Sequence, residues 1–410
     1  MKKRTFLVFF SILLSVFCLG GFVACPPAAA DYDPLVSWNE GTTKDTIVNF
    51  VEEVTNHNSC NYVPPSDRIA VFDNDGTLWT EKPFLIQGEF LIKYSQYFAL
   101  SDLKTLGFLT EKEVVLADLQ LPEMTPEEYK DEARKFLDKK NHPYLGVPYI
   151  QLTFQPMVEL VNYLQSNDFK VYICSGGGTD FIRSFAEDAY GIPPENIIGS
   201  TTQTQYCCTE DHGTYSCPEY EDDGTYSCPE YENDETYVLV KKRELVKPFN
   251  DGPGKVVGID RYIGKKPIMA VGNSSGDLAM LDYTDDDQGP ALMMLLHHDD
   301  TRECPDGYPV TIGGHDIYCP YDTRPGDDTN PFDVANERGW TVISMEEDFV
   351  TVYGEEIDQA QTGSELDISN EDFVTVSGEE IDQAQTGSEL DISNQDFWDR
   401  IIQEVTRIRK

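Results

Sequence analysis

Along the middle of the chain, short apolar runs alternate with stretches whose apolar residues recur at helical spacing. Ile69-Ala70-Val71-Phe72 is rich in branched side chains, which reads as a buried strand, and it stops abruptly at the charged loop Asp73-Asn74-Asp75-Gly76-Thr77. Lys170 to Cys174, Pro267 to Val271, Ala291 to Leu296 and Gly339 to Met345 read as further strands. Ile47, Phe50, Val51 and Val54 have the i, i+3, i+4, i+7 spacing of one helical face, and Pro64-Pro65 then turns the chain into the first strand. A second helix is predicted over Pro156 to Gln165, with Met157, Leu160, Val161 and Leu164 on one side, and a third carries Phe181, Ile182 and Phe185. About a hundred residues separate Asp75 from Ser175, far more than one strand-helix-strand crossover requires, so a small domain is expected as an insertion at 84–150. Its reading is helical. Phe84 to Phe98 is mostly apolar, Thr110 to Leu119 is periodic, and Thr125-Pro126-Glu127-Glu128 is a capping box with proline at the first helical position.

Chemistry collects where the strands end. Two ionised carboxylates as close as Asp73 and Asp75 repel, so the loop calls for a compensating cation or a proton on one of them. Magnesium suits such a pair, being hard and oxygen-seeking and leaving positions for phosphate oxygens. Taken alone, Asp-x-Asp-Gly-Thr also reads as a solvated turn or a calcium-like loop. The other strand ends narrow the choice. Ser175-Gly176-Gly177-Gly178-Thr179 combines a hydroxyl with glycine amides at a helix start, which makes a phosphate cradle. Lys255 opens the segment leading to the strand that ends at Val271, and Gly272-Asn273-Ser274-Ser275-Gly276-Asp277 follows as a third cluster of oxygen ligands.

In this order the clusters make the chain resemble phosphatases of the haloacid dehalogenase superfamily, in particular the phosphoserine-phosphatase-like branch with its secreted members, over about Pro64 to Met345. The resemblance implies an α/β fold: a Rossmann-like parallel sheet with helices on both faces, and an inserted helical cap that closes over the site and selects the substrate. It implies that Asp73 attacks phosphorus to form an aspartyl-phosphate, and that Asp75 first protonates the leaving alcohol and then activates water. Thr77, Ser175, the amide of Gly176 and Lys255 would bind phosphate. Magnesium would be held by Asp73, the carbonyl of Asp75 and the side chain of Asn273, with Asp277 fixing a coordinated water. The superfamily usually has aspartate where Asn273 stands, so weaker metal affinity is expected. Lys247 is an alternative to Lys255, and Glu81, Lys82 and Arg134 are conceivable substrate contacts. The activity implied is magnesium-dependent hydrolysis of small phosphate monoesters. Carbon-halogen hydrolysis fits less well, since that chemistry does not use a second acid such as Asp75. The alternative from another class is an exported surface binding protein with acidic repeats and a vestigial core.

Composition changes the picture in three ways. A formal charge of −42 over 410 residues argues against a nucleic-acid partner, whose phosphates demand a basic surface. Much of that charge is local: ten acidic residues and no basic ones lie between Glu210 and Glu235, fourteen more lie in a C-terminal repeat, and the remainder carries about −18. At the start, Lys2, Lys3 and Arg4 precede the apolar run Phe6 to Val23, the pattern of an export signal over 1–30. Phe22-Val23-Ala24-Cys25 resembles a lipoprotein box and Ala28-Ala29-Ala30 an ordinary cleavage site. Both stay open, giving a periplasmic or extracellular location with membrane contact only if Cys25 is lipidated. Export predicts disulfides among Cys60, Cys174, Cys207, Cys208, Cys217, Cys228, Cys304 and Cys319. Cys304 with Cys319, flanking a hairpin-like excursion from Pro305 to Tyr318, is the expected bridge, while Cys174 is expected to be a buried thiol.

Two internal repeats complete the organisation. Within an insertion at 201–240, Asp211 to Glu221 recurs from Asp222 to Glu232, which reads as a duplicated, disulfide-pinned surface loop. At 347–394, Glu347 to Asn370 is copied at Glu371 to Asn394 with Ser377 in place of Tyr353 as the only change. So acidic a segment with few large apolar residues is expected to be flexible or loosely helical, while the core is assigned to 31–353 and overlaps its first residues. Phe397, Trp398, Ile401, Ile402, Val405 and Ile408 predict an amphipathic helix over 395–410. His297 and His298 point to opposite sides of a strand, so at most one of them lines the site.

Overall fold

The computed structural model describes residues 33–82, 85–92, 110–142, 145–209, 214–217, 237–285, 289–303, 309–312, 315–318, 330–354 and 357. Strands β1 (Ile69–Phe72), β2 (Lys170–Gly178), β3 (Ile197–Ser200), β4 (Thr202–Thr209), β5 (Tyr215–Ser216), β6 (Tyr237–Leu245), β7 (Met269–Gly272), β8 (Leu292–His297), β9 (Pro309–Ile312), β10 (His315–Tyr318) and β11 (Thr341–Ser344) form three sheets. The main sheet has the order β11-β8-β7-β1-β2-β3 and is parallel throughout, which is the expected Rossmann-like α/β architecture.

The order of that sheet decides where a ligand can bind. Chain connections run outward from β1 in both directions, first through β2 and β3, then through β7, β8 and β11. The topological switch therefore falls between β1 and β7, and the crevice outside their carboxyl ends is the place such folds offer to ligands. Asp73 lies at the end of β1, and its amide donates to the Val271 carbonyl of β7 at 2.9 Å.

All four residues of β1 are buried, as a central parallel strand requires. Alternate side chains sort into two cores. Ala70 and Phe72 pack with Ile47, Val51 and Val54 of the helix Thr42–Thr55 and with Met157, Leu160, Val161 and Leu164 of the helix Gln155–Ser166. Ile69 and Val71 pack with Ile259 of the helix Pro253–Tyr262 and with Met280 and Leu281 of the helix Leu278–Thr284.

Within the expected insertion at 84–150 the described α-helices are Ile86–Ile92, Glu111–Asp118 and Pro126–Lys139. The last two open on capping boxes, Thr110 with Glu113 and Thr125 with Glu128. Phe90, Val114, Tyr129, Ala133 and Leu137 join their apolar sides to the core that lies beneath Phe72. β4 and β6 form an antiparallel ribbon with the short β5 alongside, and Cys207 is bonded to Cys217 there (S–S 2.01 Å). Within the predicted excursion at 305–318, β9 and β10 pair as an antiparallel hairpin. The export signal, most of the 211–232 repeat, the Cys304–Cys319 bridge, the tandem repeat from 358 onward and the helix at 395–410 lie outside the described residues.

Three elements differ from expectation. β2 does not stop at Cys174 but runs on to Gly178 with a shift of register. Side chains satisfy its glycine-rich end: Asn250 Nδ2 donates to the carbonyls of Ser175 (2.9 Å) and Ile198 (3.1 Å), and the Gly178 amide donates to Gln87 Oε1 (2.9 Å). The single helix expected behind it is two short ones, Thr179–Arg183 and Ala186–Tyr190, separated at Phe185, whose φ is −142°. Finally, the first residues of the tandem repeat belong to the core. Phe349, Thr351, Val352 and Tyr353 are buried, Phe349 edge-on to Trp38 and Tyr353 against Phe154. Arg302 donates to the carbonyls of Val350 (2.6 Å) and Phe349 (3.0 Å). Averaged over the whole repeat the composition is too polar to pack, but its apolar residues are gathered at the front.

Candidate active site

Seven residues after β1 fold into a tight turn. The amides of Thr77 and Leu78 donate to the Asn74 carbonyl at 3.1 and 2.9 Å, and the Gly76 amide to the Trp79 carbonyl at 2.9 Å. Gly76 has φ +72°, and a Cβ there would collide with the side chain of Asn273, so both conformation and space require glycine. Trp79 Nε1 donates to Asp75 Oδ1 at 2.8 Å and fixes that carboxylate.

Opposite this turn, the loop after β7 brings its own oxygens. Asp277 accepts at Oδ2 from the amides of Asn273 and Ser274, both 3.0 Å, and from the Ser274 hydroxyl at 3.2 Å. Its Oδ1 lies 2.6 Å from Lys255 Nζ, which in turn stands 2.8 Å from Asp73 Oδ1. Asp277 is thereby committed to Lys255 and to the backbone of its own loop. Thr77, expected to touch phosphate, is fully buried and donates instead to Asn273 Oδ1 at 3.1 Å, tying the two loops together. Asn273 Nδ2 donates to Glu81 Oε1 at 3.3 Å.

The Ser175 end of β2 faces the same space. Ser175 Oγ accepts from the Gly177 amide at 3.1 Å. A Cβ built on Gly177 would lie 3.3 Å from Ser175 Oγ and 3.4 Å from Asp75 Oδ2, so hydroxyl and carboxylate flank one small gap. Gly176 lies under Glu111, whose carboxylate leaves no room for a side chain there. Asp73, Asp75, Ser175, Lys255, Asn273 and Asp277 are all buried.

Burial without enough counter-charge governs the electrostatics. Burial, reinforced by Asp277 and only partly opposed by Lys255, pushes Asp73 up to about 7. Burial opposes the Lys255 charge too, but Asp277, then Asp73 and Glu111, outweigh it and hold the ammonium well above its ordinary range. The crevice is thus one cation short of comfort for its carboxylates. Lys255 Nζ, at 2.8 Å, is the cation that faces Asp73 Oδ1. The Asp73 carboxylate and the Asn273 amide oxygen are donors of the kind magnesium takes. Among the described residues no three His, Cys, Asp or Glu side chains converge on a metal site, so such a cation would keep waters or substrate oxygens in its shell.

The remaining candidates separate clearly. Glu81 belongs to the site through Asn273, and Lys82 is buried behind it in an ion pair with Glu303 at 3.1 Å. Arg134 lies elsewhere, paired with Asp138 and Asp188. Lys247 is exposed, so Lys255 alone joins the cluster. Cys174 is a buried thiol that burial pushes up to about 12, which leaves it protonated. His297 packs against Phe332 with its ring tilted, whereas His298 is buried with Nε2 2.7 Å from the Gly76 carbonyl. Sequence reasoning missed Glu111, Asn250, Gln87 and Trp79. For Glu111 the only signal was an acidic first helical residue, which a helix N-terminus explains without any site.

Residues 70–224 match the family model described as haloacid dehalogenase-like hydrolase, so the chain carries a domain of that kind. The match takes in β1 and β2. Lys255, Asn273 and Asp277 lie beyond it and reach the site through the fold. No curated protein matches. Among solved structures, a conserved protein of unknown function from Anaerococcus prevotii is similar at 17% identity, with 63% of this chain and 86% of that chain covered and a TM-score of 0.39. A phosphoserine phosphohydrolase-like protein from Francisella tularensis gives 19% identity, 58% and 90% coverage and a TM-score of 0.32. A probable phosphoserine phosphatase from Vibrio cholerae gives 14%, 65%, 68% and 0.32.

Proposed function

We propose that the chain hydrolyses phosphate monoesters of small molecules with magnesium, through an aspartyl-phosphate on Asp73. The observation that carries this reading is the buried Asp73–Lys255–Asp277 triad at the switch point of the sheet, faced by Asp75 and Ser175. An anionic phosphoryl group fits a crevice with a fixed ammonium, a hydroxyl and glycine-lined backbone.

In this mechanism Lys255 and the Ser175 hydroxyl hold phosphoryl oxygens while Asp73 attacks phosphorus in line. The P–O bond to the alcohol breaks and Asp75 gives the leaving oxygen its proton. Asp75 then removes a proton from water, which attacks phosphorus, breaks the acyl phosphate and restores the Asp73 carboxylate. Trp79 keeps the Asp75 carboxyl aimed throughout. Asp73, the Asp75 carbonyl and the Asn273 amide oxygen would hold magnesium, which neutralises phosphoryl charge when bound. Asp277 contributes through Lys255 and through the backbone of the Asn273 loop. The helices between β1 and β2, with Glu111 against Gly176, supply a cap that excludes water. Export, which the Lys2 to Val23 pattern predicts, suits an enzyme that scavenges phosphate from several esters.

Turnover of an aryl phosphate with and without magnesium, compared with Asp73→Asn, tests the proposal. Metal-dependent release by the wild type and at least about a thousandfold loss in the variant are expected. Equal inertness of both proteins on a panel of esters overturns it.

A further inference from the structure

One buried polar chain remains that the mechanism above does not use. His298, at the end of β8, has Nε2 2.7 Å from the Gly76 carbonyl oxygen and 3.4 Å from Asn273 Nδ2, and Nδ1 2.7 Å from Glu303 Oε2. Glu303 Oε2 also lies 3.1 Å from Lys82 Nζ, the Lys82 carbonyl lies 2.8 Å from His142 Nε2, and the Tyr353 hydroxyl donates to the Glu303 carbonyl at 3.4 Å. The Phe154 ring stands edge-on to the imidazole at 5.9 Å. Glu303 is fully enclosed. Burial alone would raise it, but His298 and Lys82 draw it down to about 2, so it is a carboxylate and can only accept. A carbonyl oxygen likewise only accepts. Nε2 of His298 is therefore the donor of the hydrogen bond to the Gly76 carbonyl.

Gly76 lies between the acid Asp75 and Thr77, whose hydroxyl reaches Asn273. The peptide that carries the Gly76 carbonyl gives its N–H, that of Thr77, to the Asn74 carbonyl at 3.1 Å, so His298 holds the opposite side of a peptide already anchored in the turn. We infer that His298, backed by Glu303 and Lys82, is a positioning residue that pins the Gly76 carbonyl and thereby sets the direction of the Asp75 carboxyl. The inference rests on the phosphatase reading for its kinetic consequence, though not for its structural one.

Two substitutions separate the halves of the imidazole. A glutamine amide reaches as far as Nε2 and keeps a donor for Gly76 while leaving Glu303. An asparagine amide reaches only as far as Nδ1 and keeps Glu303 while leaving Gly76. In aryl phosphate turnover at saturating magnesium, His298→Asn is expected to lose roughly 10- to 100-fold in kcat with KM little changed, the size of effect seen when a supporting hydrogen bond is removed. His298→Gln is expected to stay within a few-fold of wild type. Thermal stability should run the other way, with Asn the more stable because Glu303 keeps a partner. A purely structural role would make activity follow stability. Equal kcat in the two variants, loss confined to KM, or activity ranked by Tm overturns the inference.

Amide hydrogen exchange across 74–79 reads the same hold without turnover. Protection should fall in His298→Asn and persist in His298→Gln, and unchanged protection in both overturns the inference. An inactive wild type with this exchange pattern would sink the phosphatase reading and leave the positioning role standing.

Discussion

Asp73 allows the electrostatics of the crevice to be measured through folding. In the unfolded chain this carboxyl loses its proton near its ordinary value of 3.8, whereas in the folded protein burial and Asp277 delay that loss to about 7. Between those values the folded state holds the extra proton. Unfolding free energy therefore falls as pH rises through the window, by about 1.4 kcal/mol per pH unit, and levels off above the folded value. Asp73→Asn is neutral at every pH and nearly the same shape. With divalent cations chelated, the stability of the variant relative to wild type should therefore grow by roughly 2.5 kcal/mol between pH 5 and 7.5. Urea unfolding followed by tryptophan fluorescence suits the measurement, because Trp38 and Trp79 are both buried. Taking the difference between the two proteins cancels the titrating groups remote from the cluster. Added magnesium should recover stability in the wild type and much less in the variant. Parallel stability curves would show that Asp73 is ionised throughout, and would refute the argument that the crevice lacks positive charge.

Two further substitutions probe the same cluster. Lys255→Met leaves two buried carboxylates facing one another and should lower unfolding stability by about 3–5 kcal/mol as well as abolish turnover; an unchanged denaturation midpoint would contradict the ion-pair geometry. Asn273→Asp adds a carboxylate to the oxygen set, so half-saturation of activity should need about tenfold less magnesium, and an unshifted magnesium titration would remove Asn273 from the metal site.

The α/β fold was legible because its strands are short apolar runs that end on functional residues. Ile69 to Phe72 must be apolar on both sides to lie at the centre of a parallel sheet, and an all-buried run of this kind is hard to mistake once a charged loop follows it. The end of β2 was not legible. Glycines at 176–178 suggest a turn, and what keeps them extended is Asn250 and Gln87, each more than seventy residues away in sequence from the group it holds. The depth of the repeat was hidden for a different reason, since Phe349 packs on Trp38 and Tyr353 on Phe154, neither of them a neighbour in the chain. For the site, spacing exposed the charged groups but not their traffic. Nothing local shows that Thr77 turns inward to Asn273, or that Asp277 spends both oxygens on Lys255 and backbone amides.

Trp38 and Phe349 meet in an antiparallel bridge, and the Asn39 amide donates to the Asp348 carbonyl at 2.8 Å. The first and last strokes of the packed fold thus lie side by side, far along the chain yet within one hydrogen bond. A short linker could weld them and new ends could be cut in the β9–β10 hairpin, giving a circularly rearranged enzyme in which the Asp73 crevice is unchanged while the order of synthesis is reversed around it.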